Sequence, residues 1–172
     1  MQQRVLALQL PRKLVFGPHC ADACAAWIAG INPAGVLVVT SPPVRALSDS
    51  LVSQLRSQGR RVEVWDGITH EPHVDDLHAA LAAARDCGAG LIVGLGGGSV
   101  MDVAKLVAAL LDGRQRISEV FGIGNLVART TPLVCIPTTS GTGSEVSPIA
   151  IVQDSADGLK KGVISPHLVP DA

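Results

Sequence analysis

The chain has 172 residues, of which 47% are apolar and 17% charged, with 14 basic and 15 acidic side chains. This length suits one domain with a sizeable core, and the composition excludes a disordered chain. A net charge of -1 and an aromatic content of 2% favour neither nucleic acid nor a membrane as a partner. With no signal-peptide pattern and no apolar run of roughly 20 residues, we expect a cytoplasmic protein.

Four short apolar runs lack polar alternation, as in strands that are buried on both faces. They are Val36–Thr40, Val62–Trp65, Leu91–Leu95 and Leu133–Pro137. Between them lie three segments with apolar residues at helical spacing, namely Val44–Gln58, Val74–Cys87 and Ser99–Leu111. A glycine follows each segment where helices often end, at Gly59, Gly88 and Gly113. This order predicts an α/β fold, Rossmann-like, with a parallel sheet flanked by helices.

Two further features complete the predicted fold. The segment Leu14–Phe16, between Pro11 and Gly17, is predicted to form a short edge strand. The segments Ile149–Val152 and Val163–Ile164 are predicted to form a small β hairpin. We therefore interpret residues 1–172 as one domain.

Three adjacent glycines, Gly96–Gly98, follow the third strand and precede a helix. Ser99 is a candidate N-cap, and Asp102 stands three residues later, as in a capping box. Bare backbone amides at a helix start can bind a phosphate, so the turn predicts a diphosphate site. A tight turn that only lets helix and strand pack closely is the alternative. Asp102 is a ligand candidate, whereas Lys105 is expected to pair with it on the helix surface.

The segment "PTTSGTGSEVS" is a second candidate region, because hydroxyl side chains and glycines directly follow the fourth strand. Open α/β sheets bind ligands at the carboxyl ends of their strands. A polar connecting loop without function is the alternative interpretation.

The two motifs "GGGSVMDVAK" and "PTTSGTGSEVS", in this order and at this separation, resemble the iron-containing alcohol dehydrogenases. The resemblance extends over nearly the whole chain, from "LPRKLVFG" to "KKGVISPHLVP". It implies an NAD- or NADP-binding domain of an enzyme that interconverts small alcohols with aldehydes or ketones. Glycerol dehydrogenase and dehydroquinate synthase are similar in the glycine turn but lack the hydroxyl-rich segment, and they remain an alternative. A non-catalytic nucleotide-binding module is another.

The resemblance also implies which residues contact the cofactor. Gly96, Gly97, Gly98 and Ser99 would hold the diphosphate, and the remaining cleft would be lined by Asp102, Thr138, Thr139, Thr142 and Lys160. Lys160 matches the family's lysine near the ribose better than Lys161 does.

One position departs from the usual NAD pattern of this family. Where many members place an aspartate after the first strand, this chain has Thr40 and Ser41. An acid would repel a 2′-phosphate, whereas Ser41 tolerates or binds one, so both NAD and NADP remain open. Arg45 is near enough in sequence to meet such a phosphate, although an exposed helix arginine is the simpler interpretation.

The resemblance further implies iron(II) or zinc, held by an aspartate and three histidines in a C-terminal helical domain that this chain lacks. We therefore expect no metal ligand and no catalytic residue here, and no turnover by the chain alone. The cluster His70, His73 and His78 is interpreted as a surface cluster, and the four cysteines as reduced thiols. Many family members are dimers, so a homo-oligomer is expected.

Overall fold

The computed structural model describes residues 9–18 and 20–172. Its helices are α1 (Asp22–Ile31), α2 (Asp49–Ser57), α3 (Val74–Asp86), α4 (Gly98–Leu110) and α5 (Ile117–Val120). Its strands are β1 (Gly35–Val39), β2 (Arg61–Trp65), β3 (Leu91–Gly96), β4 (Gly122–Ile123), β5 (Leu133–Pro137), β6 (Ile149–Gln153) and β7 (Lys160–Ile164). Two short 3-10 helices cover Pro42–Ser48 and Pro166–Leu168.

The main sheet is parallel, with the strand order β2-β1-β3-β5. The predicted α/β fold is confirmed, and all four predicted strands lie within one residue of their expected bounds. Because β2 lies on one side of β1 and β3 lies on the other, the winding direction reverses between β1 and β3. Ligands of open α/β sheets bind at such a switch point.

Helices cover both faces of this sheet. Leu37 and Val39 of β1 face the core formed with α3 and α4, whereas Val36 and Val38 face the core formed with α1 and α2. All four side chains are fully buried. Burial on both faces explains why the strands are uniformly apolar.

The predicted hairpin is confirmed by the antiparallel pair of β6 and β7. The short strand β4, which the sequence did not reveal, adds to β7 in parallel and completes a three-stranded sheet. On β6, Ala150 and Val152 are buried in the core beside α4, whereas Ile149 and Ile151 remain partly exposed on the opposite face. The hairpin therefore packs onto α4 by one face only.

The prediction of one helix over Val44–Gln58 is wrong, because this segment begins in the 3-10 helix and α2 starts only at Asp49. Pro42 and Pro43 begin this turn. The 3-10 helix has three residues per turn, so Leu47 leaves the apolar stripe that the four-residue spacing suggested. Its side chain is 61% exposed, whereas Leu51 and Leu55 are buried.

The glycines after the predicted helices all have a left-handed backbone, with φ of 79° at Gly59, 64° at Gly88 and 72° at Gly113. The amides of Gly59 and Gly88 donate to the carbonyl oxygens of Arg56 and Arg85. These bonds end α2 and α3 at positions that only glycine adopts without strain.

The predicted edge strand Leu14–Phe16 is wrong. No described strand pairs with this segment, and the side chains of Leu14 and Phe16 are 74% and 100% exposed. The edge of β5 is instead covered by the last residues of the chain. The amide of Asp171 donates to the carbonyl oxygen of Leu133, and the amide of Cys135 donates to that of Ala172, both at 2.9 Å.

Each cysteine has a free thiol. Cys87 and Cys135 are buried, while Cys20 and Cys24 are partly exposed. Cys20 precedes α1, whereas Cys24 lies within it. Among the described residues, no helix combines the length and apolarity needed to cross a bilayer.

Candidate cofactor-binding site

The carboxyl ends of β1, β3 and β5 lie at one edge of the sheet, as the register of the strands shows. Val39 is opposite Gly94, and Gly96 is opposite Pro137. The amide of Thr138 donates to the carbonyl oxygen of Gly96 at 2.9 Å. The glycine turn and the hydroxyl-rich segment, which are about 40 residues apart in sequence, therefore begin side by side.

Thr40 fixes the end of β1 within this edge. Its hydroxyl donates to the carbonyl oxygen of Leu95 at 2.8 Å, and its amide donates to that of Trp65 at 2.9 Å. The side chain is fully buried. Thr40 therefore ties three neighbouring strands together and leaves Ser41, the next residue, at the rim.

The glycines of the turn are bare for two different reasons. A Cβ atom at Gly94 would lie 2.7 Å from the Cβ of Ala104, and one at Gly96 would lie 2.7 Å from the Cβ of Val100. These two glycines let α4 approach the sheet, which is the packing interpretation. A Cβ at Gly97 would instead lie 3.4 Å from the hydroxyl of Thr139, so packing alone does not demand a glycine there.

Gly98 faces the hydroxyl-rich segment as well, since its Cβ position is 3.1 Å from the methyl group of Thr142. Gly97 and Gly98 thus lie almost in contact with Thr139 and Thr142, and both glycines remain partly exposed. A phosphate bound over these two glycines would be close to backbone amides of the turn and to threonine hydroxyls.

Helix α4 begins at Gly98, with Gly97 in the N-cap position. The predicted N-cap at Ser99 and its capping box with Asp102 are therefore wrong, because the run of glycines lets the N-cap lie two residues earlier. The bond from the amide of Met101 to the carbonyl oxygen of Gly97 is 3.1 Å long. The amides of Gly98 and Ser99 precede this bond, at the positive end of the helix dipole.

A crevice of about 440 Å³ lies at the switch point, next to the start of α4. It is lined by Ser41, Pro42, Pro43, Ile68, Thr69, His70 and Val100. Val100 is also the residue that packs against Gly96. The crevice therefore lies next to the glycine turn, and its lining includes the hydroxyl-bearing side chains of Ser41 and Thr69.

Arg45, a candidate for a 2′-phosphate, is paired with Asp66 at the end of β2. The distance from its Nη1 to Oδ2 of Asp66 is 2.8 Å, and both side chains are well exposed. The guanidinium would have to leave this partner in order to reach a ligand beside Ser41.

The hydroxyl-rich segment also borders a larger cavity of about 490 Å³ beyond the edge of β5. Thr138, Thr139, Ser140 and Glu145 provide its polar wall, and its apolar wall includes Leu14, Trp27 and Ile136. Thr138 and Thr139 therefore stand between the glycine turn and this second space.

Asp102 lies in the first turn and a half of α4, where both carboxylate oxygens accept hydrogen bonds. Oδ1 accepts from the hydroxyl of Ser144 at 2.6 Å, and Oδ2 accepts from the amide of Ile151 at 3.0 Å. Burial raises the pKa of this carboxyl, while the bonds from Ser144 and Ile151 and the charge of Lys105 oppose the rise. Its oxygens thus face the loop and β6.

The expectation that Lys105 lies on the helix surface is wrong, since its side chain is fully buried. The hairpin packs over this face of α4, which the spacing within the helix could not reveal. Burial lowers the pKa of the ammonium group, and nearby acidic groups counteract this effect. Lys105 and Ser144 are the two members of the site that sequence reasoning missed. The signals available were the position of Lys105 within the glycine motif and that of Ser144 within the hydroxyl-rich segment.

Lys160 projects from β7 and forms an ion pair with Glu71, which belongs to the loop between β2 and α3. Both side chains are more than half exposed. Lys161 points to Asp154 and Asp157 instead, and its hydrogen bonds to these two carboxylates raise its pKa. Lys160 thus points towards the loop between β2 and α3, whereas Lys161 points towards the turn of the hairpin, which contains Asp154 and Asp157.

The histidines near the crevice have local partners. His70 contacts the carbonyl oxygen of Glu71 at 2.7 Å through Nδ1, and the amide of His73 donates to Asp76 at 2.8 Å. In the part of the chain that the structure describes, no group of three histidine, cysteine or acidic residues is arranged to hold a metal ion.

The fold and this edge together define a doubly wound α/β domain with a ligand crevice at its switch point. Residues 11–172 match the family model described as iron-containing alcohol dehydrogenase. The chain belongs to this family, and the match does not favour the glycerol dehydrogenase or dehydroquinate synthase alternatives.

Individual relatives agree with this assignment. The chain is 31% identical over 162 residues to a sulfoacetaldehyde reductase of Bilophila wadsworthia, covering 93% of this chain and 42% of that protein. It superposes on 1,3-propanediol oxidoreductase with a TM-score of 0.92 and 25% identity, covering 98% of this chain and 44% of the other. The NADH-dependent butanol dehydrogenase A of Thermotoga maritima gives a TM-score of 0.87 and 27% identity, covering 97% and 43%. The chain thus spans less than half the length of these relatives.

Proposed function

We propose that the chain is the NAD(P)-binding part of a metal-dependent alcohol dehydrogenase that interconverts small alcohols with aldehydes or ketones. The supporting observation is the position of the glycine turn at the start of α4, beside a crevice at the switch point. Gly97 and Gly98 are partly exposed beside Thr139 and Thr142, and a diphosphate bound over them would meet amides at a helix N-terminus.

The predicted residues fit a dinucleotide in an ordered way. Ser41 would contact the adenosine ribose in the crevice, and Gly96, Gly97, Gly98 and Ser99 would surround the diphosphate. Thr138, Thr139, Thr142 and Lys160 would be near the nicotinamide half. Asp102 would support the nicotinamide half by holding the hydroxyl-rich segment and β6, because its carboxylate oxygens accept hydrogen bonds from the hydroxyl of Ser144 and the amide of Ile151.

The bound nicotinamide would supply hydride chemistry, and iron(II) or zinc would polarise the substrate oxygen. Among the described residues, no group of three histidine, cysteine or acidic side chains is arranged to hold a metal ion, and we assign no metal ligand to them. The residues of this chain bind and orient the cofactor.

The crevice favours acceptance of NADP as well as NAD. Among the described residues, those that line it include no carboxylate, and Asp66 at the end of β2 is held by Arg45. A carboxylate beside the ribose would repel a 2′-phosphate, whereas Ser41 offers a hydroxyl group.

We also propose that the protein dimerises through the segment near Leu14 and Phe16. Both side chains are mostly exposed, and contiguous exposed apolar groups mark interaction sites. A cytoplasmic location is proposed from the free thiols, because reducing compartments keep cysteines unpaired. Sedimentation of wild type and of Phe16→Ser tests the dimer, since equal masses for both proteins as dimers would contradict this interface.

Calorimetric titration of the chain with NADH and NADPH tests the proposed function. We expect binding of at least one cofactor, and we expect Gly97→Ala to weaken it at least tenfold, about 1.4 kcal/mol, because a methyl group beside Thr139 would keep the diphosphate away from the amides at the start of α4. Gly90→Ala is the matched control, since its Cβ would have similar room, 3.5 Å from the nearest atom, outside the site.

Absence of any heat or fluorescence change at millimolar cofactor would contradict the proposal. So would equal effects of Gly97→Ala and Gly90→Ala on affinity. Incubation of the chain alone with NADP+ and short alcohols should give no turnover, and measurable reduction of the cofactor would show that the chain carries catalytic groups of its own.

A further inference from the structure

Lys105 holds the start of β6 through a buried ammonium group. Its Nζ donates to the carbonyl oxygen of Ser147 at 3.0 Å, to the hydroxyl of Ser147 at 3.2 Å and to the carbonyl oxygen of Ile149 at 2.9 Å. An ammonium group has three protons, so these three acceptors account for all of them. All three ammonium protons therefore bind one short segment, from Ser147 to Ile149, which lies more than 40 residues away in sequence.

Asp102, one helical turn earlier on α4, holds the two elements that flank this piece. It accepts from the hydroxyl of Ser144, in the hydroxyl-rich segment, and from the amide of Ile151, in β6. Its Oδ1 lies 3.9 Å from Nζ of Lys105. Asp102 and Lys105 together thus bind the chain at several points between the hydroxyl-rich segment, which contains Thr142, and β6, which contains Ile151.

The net stability that this pair can supply is small. Burial raises the pKa of Asp102 and lowers the pKa of Lys105, which means that both charges are costly in the folded protein. Replacing a buried ion pair by apolar groups is often neutral for stability. The hairpin already packs on α4 through Ala150 and Val152.

We propose that Asp102 and Lys105 are positioning residues that fix the hydroxyl-rich segment and β6 beside the glycine turn, so that the nicotinamide half of the cofactor site is formed before the cofactor binds. This inference rests on the proposed function, and it assigns Asp102 and Lys105 the additional role of holding other parts of the site in place. The adenosine half, at the crevice lined by Ser41, does not depend on the pair.

The test compares the full chain with the double variant Asp102→Asn, Lys105→Met, and uses Val107→Ala as a control for loss of stability. Val107 is buried in α4 but contributes no polar group. The measurements are the thermal unfolding midpoint, the amide exchange rate of Ile151 and the dissociation constants of NADH and AMP. A variant that folds but no longer holds the hydroxyl-rich segment and β6 in place should bind AMP as tightly as wild type does.

The expected result is at least tenfold faster exchange at Ile151 and at least tenfold weaker NADH binding, with AMP affinity within twofold of wild type. Val107→Ala should leave the ratio of NADH to AMP affinity unchanged. Equal losses for NADH and AMP, or unchanged NADH affinity in the folded double variant, would overturn the inference.

If the double variant does not fold, Ser144→Ala takes its place, because it removes one bond to Asp102 and leaves both charges. We expect it to weaken NADH binding about threefold and to leave AMP binding unchanged, and equal affinities for wild type and variant would again overturn the inference. Failure of wild type to bind NADH would refute the proposed function instead. The exchange rate at Ile151 then decides the positioning role by itself.

Discussion

A Cβ atom at Gly96 would lie 2.7 Å from the Cβ of Val100, whereas one at Gly97 would meet its nearest neighbour, Thr139, at 3.4 Å. We therefore expect Gly96→Ala to lower the free energy of unfolding by about 2 kcal/mol, because overpacking moves α4 from the sheet. Gly97→Ala should change it by less than about 0.5 kcal/mol. Urea denaturation of both variants measures the difference, and similar losses would show that the turn serves packing alone.

Cofactor preference is expected to depend on the residue after Thr40. Ser41→Asp places a carboxylate at the rim of the crevice, so NADPH binding should weaken at least tenfold, about 1.4 kcal/mol. NADH binding should stay the same or improve, since a carboxylate can accept from ribose hydroxyls. Ser41→Asn is the neutral control of similar size. A parallel loss for both cofactors in Ser41→Asp would contradict the placement of the ribose.

The ion pair between Glu71 and Lys160 is expected to compete with the cofactor. Glu71→Gln frees the ammonium group and removes a negative charge near the predicted diphosphate. An exposed ion pair contributes about 0.2–1 kcal/mol, so cofactor affinity should rise about threefold at low salt. The gain should shrink at high ionic strength, where exposed charges are screened.

Glu119→Gln is the control for this experiment, because Glu119 forms an exposed ion pair with Arg116 instead. Titrations at two salt concentrations compare the variants. An unchanged affinity in Glu71→Gln would mean that Lys160 is not close to the bound cofactor.

The stability of the C-terminal segment is expected to depend on Arg129, whose side chain is only 10% exposed. Its guanidinium donates to Asp171 at 2.7 Å and to the carbonyl oxygens of Thr131, His167 and Val169. Arg129→Ala removes the donor from the three carbonyl oxygens and leaves Asp171 with the amide of Leu133 alone, and we expect a loss of about 3 kcal/mol. Thermal and urea unfolding measure it, and Arg114→Ala, at an exposed pair, should cost almost nothing. A small loss in Arg129→Ala would show that water replaces the guanidinium.

The contribution of Asp102 to stability is expected to depend on pH. Burial raises its pKa above the usual 3.8, so its stabilising contribution is complete below pH 3.8 and is lost as the pH rises through the folded-state pKa. The stability of wild type relative to Asp102→Asn should therefore fall as the pH increases from 3.8. Urea denaturation of both proteins between pH 3.5 and 7 tests this, and a constant difference would contradict it.

Local patterns predicted the strands, the hairpin and the helix-ending glycines because these depend on residues that are close in sequence. Leu91–Leu95 is apolar because it is buried on both faces. Position 59 requires a glycine because its own φ is positive. Lys105 could not be placed in this way. Its spacing from Asp102 is that of a surface pair, and only the hairpin, which comes 40 residues later, buries it.

The candidate site was predictable to a similar extent. The motifs indicated which segments meet, and the structure places Gly97 next to Thr139 and Gly98 next to Thr142. The N-cap of α4 was misplaced by two residues because Ser99 is a better N-cap by composition than Gly97. The exposed position of Leu47 followed from the 3-10 helix, whose different number of residues per turn no spacing rule anticipated.

The cover over the outer edge of β5 bears on the solubility of the protein. An uncovered edge strand can recruit a strand from another molecule and start aggregation. Here the backbones of Asp171 and Ala172 form hydrogen bonds with those of Leu133 and Cys135. Pro137, at the far end of β5, has no amide hydrogen to donate. Changes that release this cover should therefore show first as self-association at high concentration, before the crevice at the switch point is affected.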